Sequence, residues 1–445
     1  MNPRSSVRWW IIGLIAVVTV VNYIDRTSLA VMWPEIAKDT HLTKEHYATI
    51  VSAFMVAYAL GQAVSGRIFD WVGTRLGFVF SVVVWSIACA GHGLARSLLS
   101  LAAARSLLGL AEAGNWPGAT KAVAEWFPRQ ERALAQGIFN AGASLGAVIS
   151  APLIAWLFIH FGWKATFIIV GALGLLWVVP WWLVVRSGPG THPWVSEAER
   201  NHILGATASG RDQAAPALAE PSGDKPGSAT PAATQTSWKE VMSHRQSWGL
   251  VVSRFFLDPI WWLFVNWLPI YLADRFHFNV KEIGMFAWVP YLGAIVGSLS
   301  GGWISGRWIA AGWSVNRARK TAILVGGALT LPGFIIAAFA ATPALAVVAM
   351  AVVLAGFQVM INNIQTIPSD CFAGKSVGTI AGIGGMSAVL GVLVFSTWLI
   401  PYLSKISYVP VFLMGTALVP LGIAAVHWLG GEIRRVEAGP SLRRS

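Results

Sequence analysis

Charged residues are scarce in this sequence. Asp, Glu, Lys and Arg together make up 12% of its 445 residues, whereas an average soluble domain contains roughly 25%. Hydrophobic residues account for 55%, and 24 residues are Trp. The shortage of charge excludes an ordinary soluble domain and predicts a protein that crosses a membrane many times.

The sequence also has few cysteines and no metal-binding pattern. Its only cysteines, Cys89 and Cys371, lie within or at the edge of apolar runs, and its nine His are scattered without an H-x3-H or H-E-x-x-H spacing. Neither a disulfide framework nor a metal site is therefore predicted. A phosphate-binding P-loop is absent as well. We expect no enzyme activity, no metal and no cofactor.

Apolar runs long enough to span a bilayer, about 20 residues each, occur twelve times in two groups of six. The runs are 9–32, 47–69, 77–95, 98–124, 133–159, 163–185, 247–272, 281–306, 320–341, 343–368, 377–401 and 407–429. This pattern predicts an all-α membrane protein with two six-helix halves that echo each other.

A polar segment separates the two groups. Its middle, Ala206–Gln235, is rich in Ala, Pro, Gly, Ser and Thr, a composition that predicts a flexible linker. The predicted domains are a first half at 1–186, a linker at 187–246, a second half at 247–429 and a tail at 430–445.

Lys and Arg are unevenly distributed between the loops. The loops on the side of the N-terminus hold most of the 32 basic residues, including Arg75, Arg129 and Arg132, whereas the opposite loops hold few, such as Lys38 and Arg96. The positive-inside rule then predicts a multi-pass protein of the inner (cytoplasmic) membrane with both termini in the cytoplasm. The net charge of +12 reflects topology, so membrane lipids and not nucleic acid are the expected partners.

Opposite charges interrupt the first span. No charge occurs from Trp9 to Val21, and then Asp25 and Arg26 stand side by side before the apolar run resumes at Leu29. An unpaired charge in hydrocarbon costs at least about 2.5 kcal/mol, so both residues must be paired or face a water-filled cavity. One interpretation is a neutral pair that fixes two helices. The other, which intramembrane ionisable residues favour, is a site for a charged solute and a proton.

The fourth span carries a second set of charges. Arg105 and Glu112 are seven residues apart, so they share one side of a helix. A rise of about 10 Å separates them, so each needs a partner on another helix, a water or a ligand. Asp25 and Arg26 are the complementary groups, although neighbours on a helix diverge by about 100° and only one can point squarely into a cavity. A structural charge cluster is the alternative to a transport site.

The turn after the second span contains a spaced motif. Gly66, Asp70, Gly73 and Arg75 form a G-x3-D-x2-G-x-R pattern, while the turn after the eighth span has Gly306 in place of the Asp. The glycines permit close helix approach and a tight turn, and Asp70 can latch onto a helix N-terminus or an Arg. We predict a conformational latch here and a weaker or differently built one in the second half. With the span count, the motif resembles the signature of the major facilitator superfamily, which implies a substrate site near the midplane.

Five further motifs lie in or beside the spans. They are Asn22-Tyr-x-Asp25-Arg26, Arg105-x6-Glu112-Ala-x3-Pro117-Gly, Trp126-Phe-Pro-x2-Glu131-Arg132, Arg254-Phe-Phe-Leu-Asp258-Pro and Phe286-Ala-Trp-x-Pro290. Together they resemble the anion:cation symporter family of that superfamily, in particular its bacterial hexuronate and galactonate carriers. The resemblance covers nearly the whole chain apart from linker and tails. It implies a functional monomer that imports a small sugar-acid carboxylate, with a proton as the coupling ion.

The same resemblance implies roles for residues of the first half. Arg26 is the implied ligand of the substrate carboxylate, which suits the planar fork of a guanidinium. Asp25 and Glu112 are the implied proton carriers. Arg105 is implied to pair with Glu112 in the substrate site, and Tyr58 to contact the substrate or Arg26.

The second half is predicted to bind the sugar hydroxyls. Trp262 can stack on a sugar ring, although a single Trp packs against lipid just as well. Side-chain amides in the tenth span both donate and accept, which fits a polyol; the alternative is interhelical hydrogen bonding. The predicted substrate-binding amides are Asn362, Asn363 and Gln365.

Two positions carry weaker predictions. Arg254 and Asp258 can pair along their own helix at i,i+4, and a structural or gating role is favoured over substrate contact. Where the galactonate carrier has a glutamine in the fifth span, this chain has Ala143. Ser144 or Asn140 would then have to supply the sugar contact.

Other functions also fit the span count. A symporter for another organic anion, such as galactonate, glucarate or an aromatic acid, differs only in its substrate. A drug/proton antiporter usually has G-P-x-x-G-G in the fifth span, which Gly142–Pro152 lacks, and two cavity arginines suit an anion better than a cationic drug. A passive channel or a lyso-lipid flippase is a further alternative, and a channel would show no proton-driven accumulation.

Overall fold

The computed structural model describes residues 6–212, 238–278, 280–372 and 376–436. Within these ranges the chain is helical and contains no strand, which confirms the predicted all-α class. The helices up to the second half are α1 (Val7–Thr40), α2 (Lys44–His92), α3 (Leu98–Glu112), α4 (Asn115–Trp126), α5 (Arg129–Val184), α6 (Glu197–Asp212) and α7 (Trp238–Met242). Those of the second half are α8 (Arg245–Phe276), α9 (Val280–Phe286), α10 (Val289–Ala310), α11 (Val315–Ala338), α12 (Pro343–Gln365), α13 (Ile367–Cys371), α14 (Val377–Val392), α15 (Ile400–Ser404) and α16 (Tyr408–Ala424). π-helical turns continue α14 over Leu393–Leu399 and α16 over Ala425–Leu429.

All twelve predicted spans have helical counterparts. Helices α2 and α5 each contain two spans, and they are broken at Gly73 (φ 81°) and Gly162 (φ 74°), where only glycine is unstrained. The fourth predicted span is divided into α3 and α4, and the eighth into α9 and α10. Among the described residues, eight continuous helical stretches are long and apolar enough to cross a membrane, and three of them, Pro343–Cys371, Val377–Ser404 and Tyr408–Leu429, join consecutive helical elements.

Polar side chains begin several of the helices. Ser97 accepts a hydrogen bond from the amide of Ser100 at the start of α3, and Thr342 accepts one from Leu345 at the start of α12. Each bond satisfies an amide that has no partner within its helix. At these two helix starts, a short loop therefore satisfies one otherwise unpaired amide where one span ends and the next begins.

Each half has a hydrophobic core of its own. Nearly all buried members of one core come from α1–α6, and nearly all of the other come from α7–α16. Helix α6 joins the first half through an ion pair between Arg8 and Glu199 (2.8 Å). The domain boundaries at 186 and 246 stay a prediction, and linker residues 213–237 and tail residues 437–445 lie outside the described residues.

Both described termini lie at one end of the bundle, called here the termini end. Arg8, near the start of α1, contacts Glu131 at the start of α5 with 2.9 Å between Nε and Oε2. The amide of Val436 donates to the carbonyl of Cys371 at the end of α13 (2.8 Å). This arrangement agrees with an even number of crossings in each half.

The two halves touch most closely near the termini end. There α2 packs on α14, and α5 packs on α10. Gly66 lies so close to Gly378, and Gly302 to Ala133, that a methyl group on either glycine would overlap the opposite backbone. The bundle is therefore closed at this end by direct contact between helix backbones.

Candidate functional site

A central cavity lies between the two halves. The space between its side chains amounts to about 570 Å³, a volume that includes space open to solvent. Its lining includes one arginine from each half, several aromatic rings and a few amides. The residues are Tyr23, Arg26, Tyr58, Gln62, Trp116, Asn140, Ala143, Arg254, Asp258, Trp261, Trp262, Phe357, Gln358, Ile361, Gln365, Gly385, Ala388 and Val389.

Arg26 forms the charged part of the wall contributed by the first half. Its Nη2 lies 3.0 Å and its Nε 3.2 Å from Oε2 of Glu112, which is fully buried on α3. The guanidinium carbon lies 4.7 Å from the ring centre of Tyr58 and 5.5 Å from that of Trp262, both within cation–π range. The carboxylate of Glu112 thus binds the guanidinium of Arg26 on its buried side, and aromatic rings flank the guanidinium on the cavity side.

Asp25 and Arg105 lie away from the cavity. Asp25 is fully buried, and its Oδ1 is 3.5 Å from Sγ of Cys89. Arg105 donates from Nη2 to the backbone carbonyl of Arg26 (2.7 Å). Of the two neighbours in α1, Arg26 therefore faces the cavity and Asp25 does not. The expected pairing of Arg105 with Glu112 is not present, because Glu112 is bound to Arg26 on the adjacent helix instead.

The predicted amides of α12 separate into two groups. Gln365 lines the cavity together with Gln358. Asn362 instead donates to the carbonyl of Ser298 on α10 (2.8 Å). Asn363 donates to the carbonyl of Val359 in its own helix (2.8 Å). The structure thus places Asn362 and Asn363 behind the lining, and their role in substrate binding stays a prediction.

Asn140 links the halves at the base of the cavity. Its Nδ2 donates to Oδ1 of Asn362 (2.6 Å) and to Oε1 of Gln365 (2.7 Å). It is therefore the polar residue of α5 that lines the cavity beside Ala143, whereas Ser144 donates to the backbone carbonyl of Asn140 (3.3 Å). Of the two proposed substitutes for the missing glutamine, only Asn140 reaches the cavity.

Gln62 and Trp116 are among the lining residues that sequence reasoning missed. Gln62 is a polar residue in an apolar run and follows Tyr58 by four positions, so the two share a helix face; that spacing could have identified it. Trp116 is one of 24 tryptophans, but it directly precedes Pro117 in the motif of the fourth span, and that position could have distinguished it from those that face lipid.

The wall contributed by the second half carries an ion pair within one helix. Arg254 donates from Nη2 to Oδ1 of Asp258 (2.7 Å) and from Nε to Oδ2 (3.1 Å), and both residues line the cavity. Above them Trp261 donates from Nε1 to the hydroxyl of Tyr23 (2.9 Å), which joins the halves.

One segment has the letters of a hydrolase motif. Gly142-Ala-Ser144-Leu-Gly146 matches G-x-S-x-G, which acts as a nucleophile elbow only on a strand-to-helix turn. Here it lies within α5, with the backbones of Gly142 and Gly146 packed against α1. The match therefore reflects helix packing.

The predicted latch joins the two halves at the termini end. Asp70 binds Nζ of Lys121 (2.9 Å) in its own half. Across the interface its carboxylate accepts from the amides of Gly378 (3.0 Å) and Thr379 (2.6 Å) at the start of α14. Arg75, in contrast, donates within its own half, to the carbonyl of Arg186 (2.9 Å). The contact is that of an acid at a helix N-terminus.

The counterpart latch in the second half uses a different acid. Gly306 offers no side chain, and its backbone lies against the carbonyl of Gln130. Asp370 supplies the carboxylate, with Oδ2 2.9 Å from Nε of Arg319 and Oδ1 3.2 Å from Nη1 of Arg132 on α5. The expectation of a differently built latch thus agrees with this geometry, which closes the end with two acidic centres.

Three comparisons with known proteins bear on this site. A model of the Major Facilitator Superfamily matches residues 15–396. The chain is 31% identical over 429 residues to the Hexuronate transporter of Escherichia coli (strain K12), covering 96% of this chain and 95% of that protein. It is 33% identical over 338 residues to the Galacturonate transporter of Dickeya chrysanthemi, covering 75% and 92%.

Similarity to solved structures concerns the fold. The proton:xylose symporter XylE, solved with 6-bromo-6-deoxy-D-glucose, superposes with a TM-score of 0.73 at 14% identity. The alignment covers 97% of this chain and 98% of that one. The overall fold is therefore shared with a transporter of very different sequence.

Proposed function

The chain belongs to the Major Facilitator Superfamily, and from that premise we propose that it imports a hexuronate-type sugar acid together with a proton. Membership of this family makes the protein a transporter and not an enzyme. The substrate class is taken from the two relatives, which are named for hexuronate and galacturonate. Glucuronate and galacturonate are the substrates we propose.

The observation that carries this proposal is the contact between Arg26 and Glu112 at the cavity wall (3.0 Å). A guanidinium bound to an internal carboxylate has fewer donors left for a substrate carboxylate. Protonation of Glu112 removes the competing negative charge and frees Arg26 for the substrate. Proton binding and anion binding then favour each other, which is the requirement for symport.

Alternating access follows from the closed end. We propose that the termini face the cytoplasm of a bacterial cell, as the Lys and Arg distribution predicts, so that the cavity is closed to the cytoplasm here. Import then requires the contacts of Asp70 and Asp370 to break while the opposite end closes. Since one chain supplies every wall of the cavity, we propose that the monomer is the transporting unit.

Uptake by proteoliposomes tests the proposal. Purified protein is reconstituted, and labelled glucuronate or galacturonate is supplied with and without an inside-alkaline gradient. A gradient of one pH unit is expected to drive about tenfold accumulation at 1:1 electroneutral coupling, since each unit corresponds to about 1.4 kcal/mol. Uptake that only equilibrates would refute proton symport, and accumulation of galactonate or an aromatic acid instead would refute the hexuronate assignment.

A further inference from the structure

Arg254 and Asp258 place a second charged group in the central cavity. Arg26 comes from the first half and Arg254 from the second, and both line the same space. Two arginines across one cavity would suit a substrate with a carboxylate at each end. Only Arg254, however, has an acidic partner that itself lines the cavity, because Glu112 lies behind Arg26.

In the second pair, the carboxylate of Asp258 binds the guanidinium of Arg254 through two hydrogen bonds. Asp258 receives Nη2 on one oxygen (2.7 Å) and Nε on the other (3.1 Å). One of the two edges through which a guanidinium binds a carboxylate is therefore in use, and the positive charge of Arg254 is already paired. The partners are four residues apart on α8, a spacing at which side chains meet within one helix. The pair therefore moves with α8 as a unit and does not depend on how the two halves are arranged.

We propose, on the basis of the proposed function, that Asp258 restricts the cavity to substrates with one carboxylate by neutralising Arg254. Glu112 balances Arg26, and Asp258 balances Arg254. A monoanion that enters with a proton on Glu112 leaves the loaded cavity neutral. A dianion leaves one uncompensated negative charge in a site of low dielectric, where it is poorly tolerated. Nη1 of Arg254, which takes no part in the two hydrogen bonds to Asp258, remains for a sugar hydroxyl.

Matched substrates isolate this effect. Glucuronate and glucarate share the carbon chain and the configuration of C2 to C5. Glucarate has a second carboxylate at C1, where glucuronate has an aldehyde that closes into a pyranose ring. Galacturonate and galactarate form a second such pair. The ratio of the glucarate to the glucuronate inhibition constant, measured by competition against labelled glucuronate uptake, cancels changes in overall activity. The ring difference is the same for every protein variant, so the change of the ratio from wild type to variant reports the second charge.

Four variants test the proposal. Asp258→Asn leaves Arg254 unpaired. The ratio of the glucarate to the glucuronate inhibition constant is expected to fall by at least about tenfold, or 1.4 kcal/mol. Asp258→Glu keeps the charge and the wild-type ratio. Arg254→Gln leaves the carboxylate of Asp258 without its ion-pair partner and is expected to weaken binding of both substrates. The double variant Arg254→Gln/Asp258→Asn is neutral again and returns to the monocarboxylate preference. Glu35→Gln, at an exposed pair with Lys38, controls for a change in net charge.

Each outcome decides the matter. An unchanged ratio in Asp258→Asn, or a wild-type protein that binds glucarate as tightly as glucuronate, overturns the proposal. If Asp258→Asn does not fold, the double variant provides the test. It carries no charge at either position, so a fall in its glucarate to glucuronate ratio of inhibition constants would contradict the charge argument. Failure of the proposed function looks different: the wild type then accumulates no hexuronate at all. In that case the ratio is measured by equilibrium competition binding on the purified protein, with the same expected change.

Discussion

The two ion pairs of the cavity are built differently. Arg26 and Glu112 belong to different helices, α1 and α3, whereas Arg254 and Asp258 belong to the single helix α8. A pair between helices can be exchanged for a ligand when either partner changes its protonation or position. A pair at i,i+4 is held together by its own helix. If the proposed function holds, exchange of proton and substrate belongs to the first half, and the second half provides a constant charge environment.

Removal of Arg26 should have the largest effect. Arg26→Ala deletes the proposed carboxylate ligand and leaves Glu112 buried without its partner, and truncating one member of a buried charge pair costs about 2–5 kcal/mol. We expect hexuronate uptake to fall by at least about 100-fold. Uptake by proteoliposomes is the measurement, with size-exclusion elution to establish folding and exposed Arg96→Ala as the control. Near-normal uptake by a folded Arg26→Ala protein would remove the distinction between the two pairs.

Changing the two acids separately sharpens the comparison. Glu112→Gln mimics a permanently protonated acid, so accumulation driven by a unit pH gradient should drop from about tenfold to equilibration, while substrate exchange without a gradient persists. Asp258→Asn should keep its dependence on the gradient, because its pair takes no part in proton exchange. Gradient-driven uptake and counterflow are measured for both variants. Equal loss of coupling in the two would show that both pairs exchange protons.

The closed end should respond less strongly. Asp70→Asn removes the charge that holds the start of α14, and a hydrogen bond to a charged group contributes about 1.5–3 kcal/mol. The closed state should become less populated, which would expose buried Cys371 at that end. In a Cys89→Ala background we expect maleimide labelling of Cys371 to accelerate by at least about tenfold, since 1.4 kcal/mol corresponds to a factor of ten. Asp39→Asn, at the opposite end of α1, is the control, and equal acceleration there would contradict a latch.

The smallest effect should come from the amides of α12. Gln365→Ala removes one lining group, and a single neutral hydrogen bond contributes about 1 kcal/mol, so KM for hexuronate should rise by about three- to fivefold. Asn362→Ala, which lies behind the lining, should lower thermal stability and leave KM within about twofold. Initial uptake rates and unfolding midpoints of the two variants provide the test. A larger rise in KM for Asn362→Ala would place the sugar contacts behind the present wall.

The twelve spans and two charged residues of the site could be predicted from the sequence, because charges are rare in its apolar runs. The twelve spans were found because uncharged stretches of the right length are conspicuous, and Arg26 and Glu112 were found because they interrupt such stretches. Which of Asp25 and Arg26 faces the cavity was not predictable, since the answer depends on the rotation of α1 against its neighbours.

Residues without charge were harder to assign. The three amides predicted to bind substrate, Asn362, Asn363 and Gln365, look equivalent in sequence. Of these three only Gln365 lines the cavity, because the position of α10 decides which amides are used between helices. One charged residue, Asp370, was also not predicted as part of a latch. The reason is that the second-half repeat of the first motif has Gly306 at the position where the first half has its acid. The acid lies instead on the adjoining helix segment α13, where only the packed structure brings it to Arg132 and Arg319.

Contact between bare backbones at the termini end has a consequence for the timing of transport. Dispersion attraction falls by about a quarter to a half when a gap of 0.5–1 Å opens, so surfaces as close as Gly66 and Gly378 lose much of their cohesion in the first small displacement. Opening should then be a single cooperative step and not a gradual widening. Half-open carriers would be short-lived, which keeps the membrane sealed to ions during each turnover.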